Sequence, residues 1–304
     1  VHRVARNGRN AEYLSGEDPH LGVALAPEYV AGVQGEGVAG VAKHYALNNQ
    51  ETRRDTISDD ASERALWEIY YPPFEASVAA GVASIMCGYN RVNGTHACGS
   101  RKLLVDDLKG KMGFDGWVMS DWWAVHATDA AANGVDQLMP GNLNYFDEAP
   151  LYRTVGATRV DEMATRVLRG LIGAGAFAPP AACVVGCDCF PLIADAVATS
   201  PAHVALARRI GASATVLLKN DGGILPLRGG PTTTVALVGA CDSTHDVDAA
   251  FADWTHGDYY VVGGSGRVLS YDAVSLAAAL RARGGAPAVR LAADESLEAA
   301  LAAA

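Results

Sequence analysis

No apolar run in the 304-residue chain approaches the roughly 18–20 residues that a membrane-spanning helix needs, so no spanning segment is expected. The first residues, Val1-His2-Arg3-Val4-Ala5-Arg6, show neither an initiating Met nor the apolar stretch of a signal peptide. That predicts a start inside a longer gene product and leaves the compartment open, the secretory route included. Positive charge is in deficit: 24 Lys and Arg against 34 Asp and Glu give a net charge of −10. Such a balance repels phosphate backbones and anionic lipid, which excludes nucleic acid and membrane as expected partners. Six cysteines are too few for a disulfide-built scaffold. Cys87 and Cys98 flank Asn93-Gly94 and could close a small ring worth ~2–3 kcal/mol. Cys183, Cys187 and Cys189 have poor zinc spacing, because no matched second half exists. No metal is expected. Gly263-Gly264-Ser265-Gly266 is a lone glycine cluster that suits a domain loop better than a phosphate cradle, and no cofactor is expected either. Internal repeats and low-complexity tracts are missing as well.

What is present is ordinary globular composition, with 50% hydrophobic residues and length enough for two domains. From residue 36 to about 177, short apolar runs alternate with helical stretches. The runs are Val38 to Ala42, Val82 to Met86, Trp117 to Met119 and Val135 to Met139. Between them, Asp60 to Ala80 opens on a capping pattern and is broken at Pro72-Pro73. Leu103 to Met112, Ala124 to Ala132 and Val160 to Ile172 read as helices. Buried strands each followed by a helix indicate a parallel sheet, and four such units fit half of a (β/α)8 barrel. Residues 1–178 are therefore assigned to the C-terminal half of a barrel, 179–200 to a linker, and 201–304 to part of an α/β sandwich. In that last part, His203 to Thr215 and Ala273 to Arg283 read as helices. Thr233 to Val238 and Ala288 to Leu291 read as strands.

In a parallel barrel the active face lies at the C-terminal ends of the strands. There the first run delivers Lys43 and His44, the second Tyr89 and Asn90, the third Ser120, Asp121, Trp122 and Trp123. Hydrogen-bonding cations, a tyrosine, a carboxylate and aromatic planes on one rim suit a pyranose ring, which offers hydroxyls, C–H faces and an electrophilic anomeric carbon. Each residue also has a structural reading. An Asp between strand and helix serves equally as an N-cap, a Lys-His pair as solvated surface, a Trp pair as packing, and Tyr89 as a turn brace.

Gly-Arg-Asn-Ala-Glu-Tyr-Leu-Ser-Gly-Glu-Asp-Pro (8–19), Ala-Lys-His-Tyr-Ala-Leu-Asn-Asn-Gln-Glu-Thr (42–52), Met-Cys-Gly-Tyr-Asn-Arg-Val-Asn-Gly (86–94) and Gly-Phe-Asp-Gly-Trp-Val-Met-Ser-Asp-Trp (113–122) resemble successive motifs of glycoside hydrolase family 3. Segments 216–227 and 263–268 are similar to the start of that family's second domain. The resemblance implies that Asp121 attacks the anomeric carbon, that Arg9, Lys43 and His44 bind hydroxyls of the terminal sugar, that Tyr89 lies beside the nucleophile, and that Trp122 stacks the neighbouring group. Nearby cations favour the ionised carboxylate such a role needs. The family's acid/base is expected beyond Ala304, with Glu295 and Glu298 read as solvated surface. The family's early barrel strands, with an Asp that grips the sugar, are expected upstream. Gln137-Leu138 departs from the family, which usually has an acidic residue just before Met-Pro-Gly.

The implied function is an exo-acting retaining β-glycosidase releasing terminal β-D-glucosyl residues. Alternatives are a β-xylosidase of the same family and a catalytically incomplete carbohydrate-binding remnant. Trp122 leans towards glucosides, and the sequence after Lys43-His44 disfavours the branch with a His-containing dyad. Oligomeric state and aglycone are not specified by these motifs.

Overall fold

The computed structural model describes residues 9, 12–141, 143–175, 196–227, 234–239, 241–242, 274–283, 288–292 and 296–303. The chain divides into two compact units, Val1–Cys189 and Phe190–Ala304. The cysteine trio at 183–189, Glu295 and the 263–268 motif lie outside the described residues.

Unit 1 is α/β. Helix α1 (Pro19–Gly35) starts where the Asp18 carboxylate accepts from the His20 amide and Pro19 supplies a preset φ. It packs closely on helix α3 (Pro72–Ala79): a Cβ at Gly22 would come within 2.7 Å of Pro73. Between them in sequence comes the helical turn α2 (Glu63–Ala65), capped by Ser62 Oγ, and a wide π-type turn over Leu66–Tyr70. The expected break at the two prolines is present. Pro72 and Pro73 cannot donate backbone hydrogen bonds, and the Tyr71 amide reaches back five residues to Leu66 O at 2.8 Å.

Strands β1 (Val41–Tyr45), β3 (Ser84–Cys87) and β6 (Trp117–Ser120) pair in parallel in the order β1-β3-β6. Met86 lies opposite Lys43 and Met119, and Ser120 lies opposite Cys87. The fourth apolar run joins through a single parallel bridge, Met119 with Gln137. β1 runs later than its apolar run, so Lys43 and His44 are strand residues rather than strand-end residues. β3 is buried along its whole length, as a strand covered on both faces must be. Short strands β2 (Ser58–Asp59), β4 (Arg91–Val92) and β5 (Thr95–His96) form a small second sheet. A disulfide joins Cys87 to Cys98 and closes the loop between them.

The stretch expected to be helical at 124–132 is a loop with one 3-10 turn, Thr128–Ala130. Trp123 has φ +63° and Ala127 is extended, so no helical path crosses them. Leu103 to Met112 is a π-helix over Lys102–Lys111. Helix α4 (Glu148–Gly173) contains Val160 to Ile172 and is interrupted at Gly156, φ 71°. Its Val167 and Leu171 pack on Trp117 and Ala83, whereas Leu168 faces solvent.

Asp136 locks this sheet from within. Its carboxylate, fully buried, accepts from Lys109 Nζ (2.8 and 2.9 Å), Arg159 Nη2 (2.7 Å) and the Val118 amide of β6 (2.8 Å).

Unit 2 contains a helix over Pro201–Ala214, capped by Ser200, and a parallel pair β7 (Thr234–Leu237) and β8 (Ala288–Leu291). The helix Leu276–Ala282 lies between them in sequence, its start capped by Ser275 Oγ. Glu298 is exposed on a last helix, Leu297–Ala303.

Candidate active site

β6 ends where its register is pinned. The Ser120 amide donates to Gln137 O (2.9 Å), and Ser120 Oγ accepts from the Met139 amide (2.9 Å). The next residue, Asp121, is tied to the neighbouring strand through its own amide, which donates to Cys87 O at 3.2 Å. Its side chain caps no helix, since the next helical turn begins at Thr128. That leaves a side chain with 10% exposure that must find donors or carry a desolvation cost.

It finds two, with a phenol alongside. The Trp122 amide donates to Oδ1 at 2.8 Å, His44 Nε2 lies 3.2 Å from Oδ2, and Tyr89 stands near enough for the carboxylate to act on its hydroxyl. Burial first, then the charges of Arg9, Lys43 and Arg54, hold the His44 pKa well below its usual value. The His44–Asp121 contact is thus a neutral imidazole N–H donating to a carboxylate rather than an ion pair. Tyr89 is pushed upward in pKa, by burial and then by the Asp121 charge, and remains a phenol.

Arg9 stands behind His44, with Nη2 3.3–3.4 Å from the ring nitrogens. It is buried, yet Tyr13, Glu12 and Glu51 more than offset the burial and hold its pKa up. Glu51 Oε2 accepts from Arg9 at 2.6 Å, Glu51 Oε1 accepts from Arg54 at 2.6 Å, and Glu12 pairs with Arg9 at 2.8 Å. Arg54 in turn lies over the Tyr89 ring, 4.3 Å from its centroid. Tyr13 Oη lies 3.1 Å from His44 Nδ1 and 3.0 Å from Asn48 O, and its pKa is pushed by burial to about 12.

The structure therefore brings together Arg9, His44, Tyr89, Asp121 and the Trp122 backbone. Lys43 stands apart: exposed and without a hydrogen bond or ion pair among the described residues, it lines an adjoining cleft of about 330 Å³. Trp122 is 38% exposed on the rim. Leu138 is packed in the core, and Gln137 Oε1 accepts from the Trp117 indole at 2.9 Å. Sequence reading left Tyr13, Glu51 and Arg54 unassigned. Tyr13 and Glu51 lie within the 8–19 and 42–52 motifs and Arg54 just beyond, so the motifs signalled the region without separating the residues at the carboxylate from their supports. Among the described residues no group of three or more His, Cys, Asp or Glu is placed to hold a metal ion. No helix there is long and apolar enough to cross a membrane.

Residues 1–143 match the family model described as the glycosyl hydrolase family 3 N terminal domain. Probable β-glucosidase L of Emericella nidulans is 40% identical over 265 residues, covering 82% of this chain and 35% of that protein. A β-glucosidase of Rhizobium radiobacter is 41% identical over 79% of this chain and 28% of its own length. The chain thus spans about a third of the curated relatives it matches. A crystal structure of a β-glucosidase from Chaetomella raphigera superposes with a TM-score of 0.83 at 32% identity, covering 99% of this chain and 43% of that one. The Trichoderma reesei β-D-glucoside glucohydrolase gives a TM-score of 0.84 at the same identity and coverage. By motif, family model and fold, this chain belongs to glycoside hydrolase family 3.

Proposed function

We propose that this chain carries the nucleophile side of an exo-acting retaining β-glycosidase that releases terminal, non-reducing β-D-glucosyl residues. The observation that supports this reading most is the convergence of His44, Tyr89 and the Trp122 amide on the buried Asp121 carboxylate at the end of β6. Two donors hold the carboxylate oxygens in place before substrate arrives, which limits reorganisation during attack.

In the proposed reaction an Asp121 oxygen bonds to the anomeric carbon while the bond from that carbon to the aglycone oxygen breaks. The leaving oxygen takes a proton from a general acid that none of the assigned residues supplies. Water then attacks the anomeric carbon and gives up a proton to the conjugate base of that acid, breaking the glycosyl ester, returning the carboxylate and releasing the sugar. A retaining geometry requires that acid roughly 5–5.5 Å from Asp121. Arg9, His44 and Lys43 are proposed to bind hydroxyls of the departing sugar, and the Trp122 ring the group across the scissile bond. For Lys43 this requires its flexible stem to swing from the adjoining cleft towards the sugar.

A 2-deoxy-2-fluoro-β-glucoside with a good leaving group traps the glycosyl-enzyme. Peptide mass spectrometry of the full-length gene product is expected to place the label on Asp121, and a label elsewhere overturns the assignment. Comparison of aryl β-glucoside with aryl β-xyloside tests the substrate: a preference for the xyloside replaces the glucosidase reading with a xylosidase one.

A further inference from the structure

Outside the carboxylate cluster, two imidazole rings face each other across two loops. His96 and His126 have ring centroids 4.0 Å apart at 36°. His96 belongs to the β4–β5 hairpin, where it pairs with Arg91. Its Nδ1 lies 3.3 Å from Tyr89 O, and its Nε2 accepts from Arg91 Nε at 3.3 Å. The carbonyl can only accept, so Nδ1 carries the proton and both ring nitrogens are engaged. The ring plane is set by the hairpin, and no nitrogen is left for a metal ion. Beneath it, the Cys87–Cys98 disulfide ties the two ends of the same loop.

His126 comes five residues after Asp121, on the loop that carries Trp122 and Trp123. Its ring rests on His96 beside a cavity of about 380 Å³ that is also lined by Arg91 and Asp129. Burial first, then His126, lowers the His96 pKa, in keeping with an Nε2 that accepts from Arg91.

We propose that the His96–His126 stack is a positioning clamp, locking the loop that begins at Asp121 to the loop that carries Tyr89. One loop supplies the carboxylate and the other the phenol beside it, and apart from the bonds at Asp121 itself the stack is a direct contact that joins them. The proposal rests on the active-site reading for its catalytic meaning. As a mechanical statement it stands on the stacked rings and the His96–Tyr89 bond.

The test uses His126→Ala, which removes the ring, and His126→Phe, which keeps an aromatic face. Amide hydrogen exchange in the full-length gene product is followed over residues 88–96 and 121–127. The alanine variant is expected to speed exchange in both segments by about three- to tenfold, the range an aromatic pair energy allows, and phenylalanine to restore most of it. Faster exchange confined to the neighbourhood of residue 126, or a phenylalanine variant no better than alanine, overturns the clamp. In aryl β-glucoside turnover the alanine variant is expected to lose kcat about three- to tenfold with KM changed far less, again rescued by phenylalanine. Equal changes in both variants contradict the positioning role. Fluoro-sugar labelling of the wild type judges the nucleophile independently: a label away from Asp121 removes the active-site reading, while the exchange result still decides the clamp.

Discussion

Asp121 and Asp136 are both buried carboxylates, and their surroundings separate a proposed reactive group from a structural one. Asp136 is saturated by Lys109, Arg159 and the Val118 amide. Removing it strips Lys109 of its carboxylate partner and leaves Arg159 with Glu162 alone, so Asp136→Ala is expected to cost about 3–5 kcal/mol in urea unfolding. A loss under about 1 kcal/mol would show that water compensates. His44 offers a pH test. Its burial, then Arg9, Lys43 and Arg54, lower its pKa well below 6.5. Between its folded value and about 6.5 the unfolded chain binds a proton that the folded chain refuses, so stability rises with pH across that window. The contribution is complete above about pH 6.5 and falls away on acidification. Unfolding at about pH 7.5 and about pH 5 is expected to show a smaller acid loss for His44→Gln than for wild type; an identical loss would place the responsible group elsewhere.

Helix α4 and strand β6 meet where a glycine permits it. A Cβ at Gly170 would lie 2.3 Å from the Trp117 ring and 2.8 Å from Ala83 O. Alanine is favoured over glycine in a helix by about 1 kcal/mol, but forcing apart a packed contact costs about 1–3 kcal/mol. Gly170→Ala is therefore expected to lower Tm, because the obstacle includes backbone and a rigid indole. A rise in Tm would mean that the helix shifts freely over the sheet. The loop holding Tyr89 is constrained by the Cys87–Cys98 bond. Replacing both cysteines by alanine is expected to cost about 2–3 kcal/mol of stability, read by denaturant midpoint at unchanged slope.

On the molecular scale, parallel strands bury both faces only when helices and further strands surround them. Val38 and Val41 at the β1 end are exposed, and in unit 2 Val216, Leu217 and Leu218 are 73%, 61% and 92% exposed. The 304-residue polypeptide by itself is expected to bind a hydrophobic dye and to hydrolyse aryl β-glucoside at no more than a trace of the rate of a full-length relative. Substantial turnover by this polypeptide would show that it supplies its own acid/base.

Much of unit 1 was legible because buried parallel strands are short apolar runs, and because prolines, glycines and caps mark their connections. Trp117 to Met119 and Val82 to Met86 became β6 and β3 nearly as read, and the break at Pro72 followed from two missing amides. The 124–132 stretch reads as helix since alanines carry helix propensity wherever they stand, while in the fold Trp123 takes a positive φ and its amide donates to Met139 O. The sequence alone determined which residue types gather at the strand ends, and with its motifs the family. Only tertiary structure decided that His44 is a neutral donor, that Glu51 and Tyr13 support Arg9 and His44, that Asp136 is structural, and that His96 meets His126. Those outcomes depend on distance and burial between segments remote in sequence, and a linear pattern carries neither.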